Sequence, residues 1–185
     1  MLPELSLREL SNGLENKTEY NEKLLQEYKI RDNSGFPPSY IEFVKTLGWG
    51  RLCNLFLIYV PFKKQHPDSW DIRSSYIRAL MDDFYNNKDN ASYSFLLEPD
   101  GTLDLAKNAV PFGMSENGEY LLWDAQNPDE RGEYPIYVLA SRMGGIRYGG
   151  KDLIHFINLC VNDRVIKRVM GLGYSKLPPR FEPLA

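Results

Sequence analysis

Two histidines, two cysteines and one glycine-rich stretch are the residues whose types could support chemistry beyond packing. A general base near neutral pH is most often histidine. His66 follows Lys63-Lys64-Gln65 and reads as a solvated loop residue. His155 precedes Cys160 by five residues, a spacing that points the two side chains in different directions on one helix, so no nucleophile–base dyad is expected. Cys53 and Cys160 each sit inside an apolar run and read as buried free thiols of a reducing compartment. No pair of these residues has zinc-ligand spacing.

The stretch Arg142-Met143-Gly144-Gly145-Ile146-Arg147-Tyr148-Gly149-Gly150 offers bare amides and two arginines, which suit an anion. It matches neither the P-loop nor the dinucleotide fingerprint, and it lacks the Lys-Ser/Thr that would hold a nucleotide and its metal. Hairpin turns are the expected use of its glycines. The many acidic residues show no spacing that asks for a catalytic carboxylate pair. Catalytic residues, metal ligands and cofactors are therefore all expected to be none.

The elements that would position any site read as follows. Residues 18–30 carry Tyr20, Leu24, Leu25 and Tyr28 at helical spacing, and Phe36-Pro37-Pro38-Ser39-Tyr40 opens a second helix that Gly48 stops. Leu52 to Val60 reads as one strand buried on both faces. Asp68-Ser69 precedes a third helix with Ile72, Tyr76, Leu80 and Phe84 spaced by four, and Ile77 and Met81 beside them. Short β-prone runs follow at Tyr93 to Leu97, Leu103 to Leu105, Glu119 to Trp123 and Pro135 to Ala140, with a further one at Ile146 to Tyr148 between the glycine pairs. Helices return from Asp152 to Cys160 and from Asp163 to Gly171. A proline-rich tail, residues 172–185, is expected to lie as an extended surface strap. This order predicts an α+β fold, a central antiparallel sheet of short strands flanked by N-terminal and C-terminal helices, in one domain over 1–185.

The chain has 185 residues, 43% hydrophobic and 25% charged, which is ordinary globular composition. Its longest apolar stretch, Leu55 to Val60, is strand-sized, far short of the roughly 20 residues of a membrane span. Met1-Leu2-Pro3-Glu4 has no basic start leading into an apolar core, so no secretory signal and a cytoplasmic location are expected. The net charge of −3 hides an asymmetry. Residues 98–133 hold nine acids against Lys107 and Arg131, a balance of −7, whereas residues 142–180 hold eight bases against Asp152 and Asp163, a balance of +6.

Four ordered blocks resemble the SUKH superfamily of bacterial immunity proteins and cell-wall regulators. They are Phe36-Pro37-Pro38-Ser39-Tyr40-Ile41-Glu42-Phe43-Val44 with Gly48-Trp49-Gly50, then Val110-Pro111-Phe112-Gly113, then Gly118-Glu119-Tyr120-Leu121-Leu122-Trp123-Asp124, and last Pro135-Ile136-Tyr137-Val138 running into Leu153, Phe156 and Ile157. The match spans about residues 18–161. Asn-Gly-Gly, common in the family after the first block, is replaced by Gly48-Trp49-Gly50-Arg51, and the helix from Trp70 is a fuller insertion. Read physically, Pro111 and Gly113 set a turn, while Trp123 and Tyr137 belong to the core.

The resemblance implies a binding surface and no shared enzymatic site. It makes the expected function that of an immunity protein that binds and neutralises a cognate polymorphic toxin, such as a nuclease. The alternatives are an interaction adaptor of the same fold with no toxin partner, and an enzyme whose carboxylates assemble only in three dimensions. The acid-rich segment supplies the expected contact, chiefly Glu116, Glu119, Asp124, Asp129, Glu130 and Glu133, with Trp49 as an apolar anchor. A basic protein toxin is the partner it fits. No direct nucleic-acid or membrane contact is expected.

Overall fold

The computed structural model describes residues 5–11, 20–32 and 34–184. Helix α1 (Leu7–Leu10) starts where the Ser6 N–H donates to Glu9 at 2.7 Å. Helix α2 (Glu22–Glu27) is capped by Asn21, whose side chain accepts from the Leu24 N–H at 3.1 Å. The helix expected over 18–30 is thus shorter, and its residues 18 and 19 lie outside the described residues. Helix α3 (Pro38–Thr46) opens on a proline, whose missing N–H would be unpaired in the first turn anyway. Gly48, at φ +70°, ends it by donating to the Val44 carbonyl at 3.0 Å.

Four sequence expectations are corrected. The apolar run from Leu52 to Val60 is a hairpin, β1 (Gly50–Leu52) and β2 (Phe56–Ile58), turned at Cys53 and Asn54 with φ of +55° and +54°. That turn lacks the glycine or proline that usually marks one. Val110-Pro111-Phe112-Gly113 is no turn but part of β3 (Val110–Ser115), where pairing with the next strand slips between Pro111 and Gly113 and the bulge accommodates the proline. Residues 93–97 and 103–105 are not extended: after α4 (Trp70–Asn86) and α5 (Lys88–Ala91), Ser94–Leu96 makes a 3-10 turn and α6 (Leu103–Asn108) is capped by Thr102 accepting from the Leu105 N–H. The N-cap signal outweighs the alternation there. Finally, the tail is more than a surface strap, because β7 (Phe181–Pro183) pairs with β1 and buries Phe181. Gly50 permits that approach: a Cβ there would lie 2.3 Å from the Phe181 ring and 2.4 Å from the Glu182 carbonyl.

With β4 (Tyr120–Trp123), β5 (Ile136–Leu139) and β6 (Ile146–Gly150), these strands form one antiparallel sheet in the order β6-β5-β4-β3-β2-β1-β7. Helices α7 (Leu153–Cys160) and α8 (Ile166–Met170) follow β6 and pack on it. On the sheet face shared with α3 and α7, Trp123 stacks on Phe112 at 4.2 Å and takes Tyr40 edge-on at 4.9 Å, while Phe43 meets Phe181 and Phe56 meets Phe156. On the other face α4 runs along β3, with Ile77, Met81 and Tyr85 buried. The α+β class and its flanking helices are as expected. Among the described residues no helix is long and apolar enough to cross a membrane.

Candidate functional site

The six carboxylates expected to form one acidic surface do not do so. Glu133 is buried and accepts from the Ser39 N–H and hydroxyl, both at 2.7 Å. The same hydroxyl accepts from the Leu153 N–H at 3.1 Å, so one carboxylate ties the start of α3 to the start of α7. Pro37, at the N-cap of α3, has no side-chain acceptor to offer, and Glu133 supplies it from a distant loop. Burial raises the Glu133 carboxyl above its ordinary value, against the pull of the Ser39 bonds. Glu119 is also buried, holding the hydroxyls of Ser115 and Tyr174, the latter at 2.7 Å. Asp124 is buried and closes a turn by accepting from the Gln126 N–H and the Asn127 amide.

Glu116, Asp129 and Glu130 are exposed, but two of them are already paired. Arg131 bonds Asp129 at 2.8 Å, and Arg51 bonds Glu116 at 2.7 Å. Trp49, the expected anchor, is buried between Tyr59 and Phe62 in near-parallel stacks. A contact surface built on these seven residues is therefore reduced to Glu116, Asp129 and Glu130.

The reactive residue types also serve structure. His66 accepts from the Asp68 N–H and leans on Phe62, and His155 accepts from the Lys151 N–H. Both cysteines are free and buried; burial pushes the Cys53 thiol up to about 12 and Cys160 well above its usual range. A thiol held protonated is a poor nucleophile. Among the described residues no group of three or more His, Cys, Asp or Glu is placed to hold a metal ion.

A different surface emerges from the register. Glu182, Arg51, Leu57, Met114 and Tyr120 are successive cross-strand partners on one sheet face, and all five are half-buried. Beside this strip, Ile72, Tyr76 and Leu80 project from α4 at 39%, 59% and 37% exposure. Tyr76 adjoins Tyr120, whose hydroxyl is raised first by burial and then by that neighbour. At the far end Arg51 bridges Glu116 and Glu182, the latter at 3.1 Å. The arrangement is an apolar and aromatic middle with a charged end, the anatomy of a protein interface. Leu57, Met114, Tyr120 and Arg51 went unrecognised from sequence because only the register brings them together. The α4 row was visible, since a helix that buries Trp70, Ile77, Met81 and Tyr85 does not need Ile72, Tyr76 and Leu80 as well.

No protein-family model matches the chain, and no curated protein or solved structure matches it either.

Proposed function

We propose that this chain is a SUKH-like immunity protein that works in the cytoplasm, binding a cognate protein toxin and blocking it stoichiometrically. The carrying observation is the surplus apolar row of α4 lying beside the half-buried strip from Arg51 to Tyr120. Large exposed apolar groups are costly for a protein with no partner, and Tyr, Met and Arg are the residues that interface centres favour. The four blocks of the family resemblance support the same reading. Arg51 is shared by two glutamates, which leaves one negative charge at the end of the strip for a cation of a basic toxin such as a nuclease.

Tyr76→Ala tests the assignment. With the toxin encoded beside this protein's own gene, the variant should bind at least about tenfold more weakly, the scale of a moderate interface hot spot. Its melting temperature should stay at the wild-type value, because the side chain is mostly in solvent. Wild-type affinity in both Tyr76→Ala and Met114→Glu would move the contact elsewhere.

A further inference from the structure

The two halves of the charge asymmetry do not neutralise each other. Among the described residues, five of the six arginines before residue 141 (Arg31, Arg51, Arg73, Arg78 and Arg131) are ion-paired. None of the eight lysines and arginines from Arg142 to Arg180 is paired with a described residue. The one bridge between the two segments runs in the opposite sense, from Arg131 to Asp152 at 3.4 Å. Five of the unpaired cations surround one edge of the molecule. Arg147 lies on the edge strand β6 and Lys151 directly follows it; Arg164, Lys167 and Arg168 lie on and before α8, which packs on β6. The Arg147 guanidinium reaches Gly171 at the end of α8, where a Cβ would sit 3.7 Å from it. Lys151, Arg164, Lys167 and Arg168 are exposed. Of the acids on this edge, Asp152 is held by Arg131, Asp163 accepts from the Lys176 N–H, Asp100 accepts from the Tyr148 N–H, and Glu98 stands exposed beside β6.

The backbone of β6 is not open to an added strand. Its Ile146 N–H and carbonyl bond Glu98 and Asp100, and the Tyr148 N–H donates to the Asp100 carboxylate at 2.9 Å. Recognition at this edge must therefore run through side chains. Tyr148, half-buried on the face of β6 opposite Arg147, meets Tyr137 edge-on at 5.6 Å and lies close enough to Arg168 for that charge to act on its hydroxyl. Three arginines, two lysines and an aromatic ring suit a phosphate backbone with bases that stack. An acidic peptide would use the cations and leave the ring idle.

We infer that the β6–α8 edge binds single-stranded nucleic acid through Arg147, Lys151, Arg164, Lys167 and Arg168, with Tyr148 as a stacking platform. This goes beyond toxin binding and does not depend on it, and it departs from the expectation drawn from sequence alone. The test is fluorescence anisotropy of the full chain with labelled single-stranded DNA and RNA of about 20 nucleotides, longer than a typical site of about 4 to 16. Three to five phosphate contacts predict a log–log salt slope of about −2 to −3.5, or about 15- to 130-fold weaker binding between about 50 and 200 mM salt. Replacing Arg164, Lys167 and Arg168 with glutamine, all exposed positions, should reduce the slope by about 2. Arg147→Gln should weaken binding in the same direction, whereas Lys63→Gln with Lys64→Gln should leave it unchanged. The inference is overturned if wild type fails to bind either strand at 50 mM salt, if the triple variant binds like wild type, or if labelled polyglutamate binds as tightly as the oligonucleotides.

Discussion

Trp123→Ala should cost about 3–5 kcal/mol of stability, the range for emptying a large aromatic site in a core. At this chain length that corresponds to a melting temperature lower by about 6–20 °C. The effect is large because no neighbour can collapse into the space. Trp123 is 1% exposed, stacks within 7° of parallel on Phe112, and receives the edges of Phe36, Tyr40 and Tyr134. These rings come from β3, from α3 and the segment before it, and from the segment before β5, so the loss is shared across both layers. Trp123→Phe keeps the stack and should recover more than half of the loss, measured by thermal or urea unfolding.

Glu133→Ala should cost about 2–4 kcal/mol, because it leaves the Ser39 N–H and hydroxyl without their charged acceptor inside the protein. Glutamine keeps one acceptor oxygen and should restore much of this. The pH dependence separates the two contributions of the carboxylate. Burial holds the folded-state carboxyl above the ordinary value of 4.5. Between 4.5 and that raised value the folded state binds more protons than the unfolded state, so this group's contribution to stability falls as pH rises through the window. The difference in melting temperature between Glu133→Gln and wild type should therefore shift in favour of glutamine from pH 4.5 to pH 7. A constant difference would mean that the carboxylate is not desolvated.

What was legible in the sequence was what local chemistry dictates. The proline pair that opens α3, the glycine stop at Gly48, the start of α7 at Asp152 and the β-prone runs that become β4 and β5 are all present. Residues 103–105 are helical for a local reason, the Thr102 cap, and the other differences lie where longer-range contacts decide. Cys53 and Asn54 turn a hairpin with no glycine, Pro111 sits in a central strand because a bulge admits it, and Phe181 enters the sheet because Gly50 makes room. The acidic segment shows the same limit for function. A count of charges could not show that Glu119, Asp124 and Glu133 turn inward to satisfy hydroxyls and amides, nor that the basic segment has no ion partner among the described residues.

Growth of cells expressing a toxin from a gene neighbouring this one is the most direct test of the proposed toxin neutralisation through the α4 strip. Wild type should restore growth, and the double variant Ile72→Ala, Tyr76→Ala, at two exposed positions of α4, should fail to do so while accumulating and melting normally. Absence of protection by wild type against any neighbouring toxin, or full protection by the double variant, would contradict the account.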